Sequence, residues 1–219
     1  MADHELACQR VAARFRKPWL RHYVGSKLRS DPLFAAAYDA LQASVRPVLD
    51  VGCGVGLLAF YLRERGVTLP LSGFDIDARK IREAKTVATE CYDGLAFFEH
   101  DVQKSLPKFS GSVAVFDLLH YLPLERQETL LAELAAAIPP GGMLLLRDCP
   151  RDDSARFWMT YAGEKFAQAI SWNVGVPLHF PTRRSMTESF PQAEFDHHEQ
   201  PAWGRTPFNN RLFIFRRKM

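Results

Sequence analysis

Cysteine is sparse and scattered. Cys8, Cys53, Cys91 and Cys149 form no CxxC pair, and with no HxxxH spacing or acidic ligand cluster beside them the pattern argues against a zinc site and against a disulfide framework. No stretch approaches the roughly 18 consecutive apolar residues of a membrane span. The opening Met-Ala-Asp-His-Glu-Leu carries acids and lacks the apolar core of a signal peptide, so a cytoplasmic location is expected. Internal repeats and low-complexity segments are missing as well. What is present is a chain of 219 residues, 47% of them apolar, enough to bury one good core in a single domain.

The glycines are informative. Pro47-Val-Leu-Asp-Val-Gly-Cys-Gly-Val-Gly56 leads an apolar strand into a turn that holds Gly52, Gly54 and Gly56. Glycine permits positive φ and lets a ligand approach where a Cβ would collide, so such a turn suits a nucleoside-bearing cofactor. Leu69-Pro-Leu-Ser-Gly-Phe-Asp-Ile-Asp77 then ends a second strand at Asp75, about 20 residues on, the spacing at which a carboxylate reaches ribose hydroxyls. A dinucleotide fingerprint wants a third glycine at the helix start, to bring in a pyrophosphate; that position is Leu57. A sulfonium cofactor has no pyrophosphate, and Asp50, just before the turn, is placed to help hold the amine of its methionine end.

Val-Leu-Asp-Val-Gly-Cys-Gly-Val-Gly closely resembles the first motif of class I S-adenosylmethionine-dependent methyltransferases, and Asp50, Gly52, Gly54 and Gly56 match it residue by residue. The resemblance continues in order over roughly residues 45 to 148. Asp75 matches the acid that binds ribose in that family. His100-Asp101-Val102 follows an apolar strand where the family places an acid beside the adenine. Ser112 to Leu122 resembles the fourth strand with its exit loop, and Ile138 to Arg147 the turn and fifth strand. The resemblance implies S-adenosylmethionine as cofactor, with S-adenosylhomocysteine as product. It assigns the cofactor site to Asp50, Gly52, Cys53, Gly54, Gly56, Asp75, Ile76, Asp101, Val102 and Asp117. Cys53 reads as a small residue filling space in the turn rather than as a reactive thiol.

Periodicity and breakers give helices over 57–65, 77–91, 124–138, 152–171 and 182–190, alternating with strands at 71–75, 95–99, 113–117 and 142–148 and followed by strands at 193–200 and 211–217. Before them, residues 4–44 read as helical, broken at Lys17-Pro18 and at Ser30-Asp31-Pro32, where Asp31 or Ser30 would cap the next helix. Alternation at this spacing implies an α/β, doubly wound, Rossmann-like fold. Its sheet would be mostly parallel and seven-stranded, with a C-terminal antiparallel strand. An N-terminal helical cap (1–44) would precede the methyltransferase domain (45–219) as one structural unit, and in the resembled family such caps often form a lid.

Methyl transfer asks a protein to align donor and acceptor, and to remove an acceptor proton where needed. His120 is the candidate base, since it follows the fourth strand at the carboxyl edge and a neutral imidazole takes a phenolic proton near neutral pH; the alternative is a residue that walls off the cofactor. Tyr121, Trp172 and His179 are candidates for an acceptor pocket, because aromatic walls suit a planar acceptor; packing is the alternative there. His197 and His198 point to opposite faces of a strand and make no metal pair, so no metal is expected.

Residues 1–30 carry Arg10, Arg14, Arg16, Lys17, Arg21, Lys27 and Arg29 against Asp3 and Glu5, and the tail holds Arg205, Arg211, Arg216, Arg217 and Lys218, although the net charge is only +3. A solvated basic face explains this; so does docking of an acyl-carrier protein or an anionic membrane surface. Nucleic acid is disfavoured, because Asp117-Leu-Leu-His120 stands where base-amine methyltransferases carry an Asn/Asp-Pro-Pro-Tyr/Phe motif, and no interleaved basic and aromatic patch is visible. Tyr23 to Pro32, Gly56 to Leu62 and Trp203 to Phe213 are similar to bacterial methyltransferases found with aryl-polyene or xanthomonadin-type pigment biosynthesis. That implies a hydroxyphenyl acceptor, free or on a carrier protein. The expected function is methyl transfer to a small molecule; the alternatives are an NAD(P)-dependent oxidoreductase and a non-catalytic S-adenosylmethionine-binding protein.

Overall fold

The computed structural model describes residues 2–169 and 177–219. Three helices come first: α1 (Ala2–Ala13), α2 (Pro18–Ser30) and α3 (Leu33–Leu41). Pro18 opens α2, where its missing N–H costs nothing, and the Asp31 carboxylate accepts the Leu33 N–H at 3.0 Å to start α3. Next come β1 (Val48–Val51), α4 (Leu57–Glu64), β2 (Leu71–Asp75), α5 (Ala78–Cys91), β3 (Leu95–Glu99), β4 (Ser112–Phe116), α6 (Leu124–Ala137) and β5 (Met143–Asp148). The chain ends with α7 (Ala155–Ala169), α8 (Arg183–Glu188), β6 (Phe195–Pro201) and β7 (Arg211–Arg217).

The seven strands form one sheet in the order β3-β2-β1-β4-β5-β7-β6. All neighbours from β3 to β5 are parallel, and β7 runs antiparallel to both β5 and β6. The chain reverses direction across the sheet between β1 and β4, the place where ligands of doubly wound sheets collect at the carboxyl edge. Both β1 and β5 are buried along their whole length, which is why their sequences are apolar apart from Asp50 in β1 and the final Arg147 and Asp148 of β5.

Successive strand residues feed opposite layers. Val48, Ala114 and Leu145 face the layer that holds the cap, α4 and α5, whereas Leu49, Val113 and Leu144 face the layer with α6 and Met186 of α8. The cap seats on α4: Phe15 packs edge-on against Phe60, Phe34 tilts onto Tyr61, and His4 Nδ1 lies 2.7 Å from the Tyr61 hydroxyl.

Among the boundaries that differ from the sequence-based expectation, three have a visible local cause. α7 begins three residues late because Asp152 accepts the Ser154 N–H (3.0 Å) and Ser154 Oγ then caps Phe157 (3.1 Å). β6 begins at Phe195 because a turn closes from Glu194 N to Pro191 O at 2.9 Å. β4 stops at Phe116, and Asp117 leaves it with a φ of 53°, a left-handed conformation that is uncommon for a residue with a side chain.

Most cations of the basic ends meet carboxylates of the acidic middle. Arg10 and Arg14 approach Glu64, Arg16 approaches Glu90, and Lys17 approaches Glu83. In the tail Arg211 approaches Glu199 and Arg217 approaches Glu194. The uneven charge along the sequence is therefore largely paired within the fold.

Candidate functional site

The glycine turn joins β1 to α4 at the carboxyl edge. Gly52, Gly54 and Gly56 all have positive φ, at 76°, 56° and 83°. At Gly56 the need is also steric, since an added Cβ would lie 2.8 Å from the Phe97 ring. Gly54 is the reverse: a Cβ there would meet no atom within 4 Å, so the turn presents open backbone at this point. The Gly52 and Cys53 N–H groups both donate to Phe74 O at 2.9 Å, which ties the turn to β2. Cys53 packs over Gly73, where a Cβ would stand 2.8 Å from its own. Burial, then Asp50 and Asp75, push its thiol well above the usual range, so it fills space there and is not a thiolate.

Two carboxylates flank this turn. Asp75 Oδ2 accepts the Gly54 N–H at 3.0 Å and Oδ1 accepts the Asp77 N–H at 2.8 Å; each oxygen keeps a lone pair for a ligand hydroxyl. Asp50 is only 5% exposed, and its side chain forms no hydrogen bond or ion pair among the described residues. Burial, and then the Asp75 charge, raise its carboxyl to about 7. A buried carboxylate without a partner is costly and is relieved by a cationic ligand.

The other expected cofactor residues gather along the same edge. Ile76, next to Asp75, leaves 58% of its surface exposed, an apolar face beside the ribose-type carboxylate. Asp101 lies just after β3, accepts the Gln103 N–H at 2.9 Å and stands 3.9 Å from Lys104 Nζ. Val102 is buried in the core beside Val51 and Phe74. Asp117 is placed differently: both its oxygens are taken by Arg147, one at 2.9 Å from Nε and the other in a closer contact with Nη2. In this geometry Asp117 positions Arg147, and a third of its side chain stays exposed at the edge.

Beyond Asp117 lies a second cluster. His120 sits in a short 3₁₀ turn, buried, with Nδ1 2.7 Å from Asp148 Oδ1. Asp148 also accepts the Leu119 and Cys149 N–H groups, at 2.9 and 2.8 Å. A carboxylate so placed requires Nδ1 to be the donor. Burial opposes a charge on His120, but Asp148, then Glu164 and Asp117, outweigh it and raise its pKa to about 9. The carboxylates toward each end of the ring favour its charged form, whereas the sequence-based expectation is a neutral base.

Its Nε2 is buried without a hydrogen-bond partner and lies 3.9 Å from Glu164 Oε2. The Tyr121 hydroxyl donates to that same Glu164 oxygen at 2.5 Å. Burial and this bond drive the phenol far above its usual range, so Tyr121 remains a donor. Phe180 stacks on His120 at 5.2 Å between centroids, and Phe157 and Tyr161 pack around Phe180. His179 contributes through its backbone: its N–H donates to His120 O at 2.8 Å, and its carbonyl accepts from Gln127 Nε2 at 2.6 Å. Trp172 lies outside the described residues.

Sequence reasoning missed Arg147, Asp148 and Glu164. The first two carried a signal, since two charged residues end a strand that is otherwise wholly apolar; Glu164 sits in mid-helix and carried none.

Residues 48–142 match the methyltransferase domain family. The chain is 25% identical over 204 residues to a tRNA N(3)-cytidine methyltransferase of Homo sapiens, covering 87% of this chain and 52% of that protein. It is 27% identical over 170 residues to the demethylmenaquinone methyltransferase of Deinococcus radiodurans, covering 73% and 68%. The chain thus spans only about half the length of the tRNA methyltransferases it matches. Among solved structures, magnesium protoporphyrin IX methyltransferase from Synechocystis PCC 6803 with bound S-adenosylhomocysteine superposes with a TM-score of 0.63 at 18% identity, covering 99% of this chain and 86% of that one. The glycine turn and the sheet order agree with the methyltransferase match over residues 48–142, which is under half of this chain, and with the fold of the solved methyltransferase.

Proposed function

We propose that the protein transfers a methyl group from S-adenosylmethionine to a small aromatic acceptor. The observation that carries this reading is Asp50: a buried carboxylate without a side-chain partner among the described residues, behind a turn whose Gly54 is open. Such a site favours a ligand with positive charge and disfavours a pyrophosphate, which weighs against the oxidoreductase alternative. Asp75 would hold ribose hydroxyls, the Gly54 backbone would let the ligand approach, and Ile76 and Asp101 would flank the base. The bound cofactor supplies an electrophilic methyl carbon. The protein's part is to orient the acceptor against it and to exclude water, and the apolar cluster of Cys149, Phe157 and Phe180 beside His120 serves both.

For the acceptor, the aromatic surroundings of His120 support a flat, unsaturated molecule. Two of the three segments that are similar to pigment-pathway methyltransferases meet each other, since a Cβ on Gly204 would lie 3.0 Å from Pro32, and the second also touches α7, where a Cβ on Gly163 would lie 3.0 Å from Phe208. A hydroxyphenyl acceptor is therefore our reading. A carrier protein draws less support, because most of the basic ends are paired internally. A relative that acts on tRNA makes nucleic acid the competing class. Incubation with methyl-labelled S-adenosylmethionine separates them. Label in hydroxyphenyl acids or their carrier-protein thioesters supports the proposal, and label only in tRNA overturns the acceptor class.

A further inference from the structure

Resting on that methyltransferase reading, the geometry points to Glu164 as the group that receives the acceptor's proton, with the acceptor hydroxyl seated between Glu164 Oε2 and His120 Nε2. Three observations meet here. The two atoms are 3.9 Å apart, too far for a hydrogen bond to each other and a span that one oxygen can bridge at ordinary hydrogen-bond length to both. Nε2 is buried and has no partner, a condition that costs free energy unless a ligand supplies an acceptor. The Glu164 side chain is 25% exposed, so its carboxylate keeps contact with solvent on the α7 side of the pair.

The two sides are chemically unlike, and this selects the ligand. Asp148 accepts the Nδ1 proton and favours the charged ring, the form in which Nε2 also donates; Glu164 only accepts. A hydroxyl satisfies both at once, accepting from one and donating to the other. A carboxylate would face Glu164 with like charge, and an ether would have no proton to give. Phe180, stacked on His120, and Tyr161 beside it make the adjoining walls aromatic, which matches a phenol. In the step itself the phenolic O–H bond breaks, the proton passes to the Glu164 carboxylate, and the electron pair stays on the acceptor oxygen as the nucleophile, with the imidazolium beside it stabilising the developing charge. The Tyr121 hydroxyl bond holds Glu164 in place.

Calorimetry of the full chain saturated with S-adenosylhomocysteine tests this, using methyl 4-hydroxybenzoate and methyl benzoate, which differ only by the hydroxyl. The wild type should prefer the hydroxy compound by about tenfold, the scale of one hydrogen bond to a charged group. Glu164→Ala should lose that preference while binding S-adenosylhomocysteine unchanged. Equal affinity for the two esters, no binding of either, or a full preference retained in Glu164→Ala would overturn the inference and leave the cofactor reading standing. Failure of the wild type to bind S-adenosylhomocysteine would bring down both.

Discussion

Arg147 and Asp31, 116 positions apart, are joined by hydrogen bonds of 2.7 and 2.6 Å from one guanidinium nitrogen to both carboxylate oxygens. The same guanidinium grips Asp117 on its other side, and Lys27 of α2 approaches Asp31 at 2.8 Å. Burial works against the Asp31 charge, but Arg147 and then Lys27 hold its carboxyl below the usual range. The cap is thereby fastened by buried charges to the carboxyl ends of β4 and β5, beside both halves of the site.

Removing the central cation should be costly, because it leaves two carboxylates facing one another in a buried place. Arg147→Met is expected to lower stability by about 3 kcal/mol in urea unfolding. A loss under about 1 kcal/mol would show that the cap does not depend on this fastening.

Asp50 should trade stability for binding. Its folded pKa of about 7 lies above the usual 3.8, so its favourable contribution is complete below the unfolded value and is lost as pH rises through 7. Asp50→Asn should therefore stabilise the ligand-free protein at pH 8, on the order of 2 kcal/mol, and weaken S-adenosylmethionine binding. Thermal melts at pH 5.5 and 8 check the first effect, and calorimetry checks the second. A variant that is less stable at pH 8 would contradict the electrostatic account of Asp50.

His120 has the same sign with a different window. Its pKa rises from 6.5 to about 9 on folding, so the stabilisation by Asp148 and Glu164 is fully present below 6.5 and fades as pH climbs through 9. The stability difference between wild type and His120→Gln should be largest near pH 6 and shrink by pH 9.5. A difference that is flat across this range would mean the ring is not charged in the fold.

The glycines should separate space from backbone strain. Gly54→Ala meets no neighbour and should cost about 1 kcal/mol, from its positive φ alone. Gly56→Ala adds a collision with Phe97 and Phe60 and should cost roughly 3 kcal/mol. Equal losses in chemical denaturation would argue against the packing assigned to Gly56.

The fold was legible because its signals are local: a turn that only glycine can make, acids at strand ends, and strands apolar throughout because both faces are covered. The gathering of Asp50, Gly54 and Asp75 at one edge was legible for the same reason, since all three lie within one βαβ unit. The cluster around His120 was not. His120 could be named from its place after β4, but its charge is set by Asp148 and by Glu164, 44 positions away in α7. Asp117 sits where a ligand residue was expected, yet its partner is an arginine on the next strand, and no spacing rule reveals that pairing.

The central claim is that the turn at Gly52 to Gly56, with Asp50 and Asp75, holds S-adenosylmethionine. Calorimetric titration of the purified chain with S-adenosylmethionine, S-adenosylhomocysteine and NADH tests it most directly. The account predicts saturable binding of the two sulfur compounds and none of NADH; binding of NADH alone would contradict it.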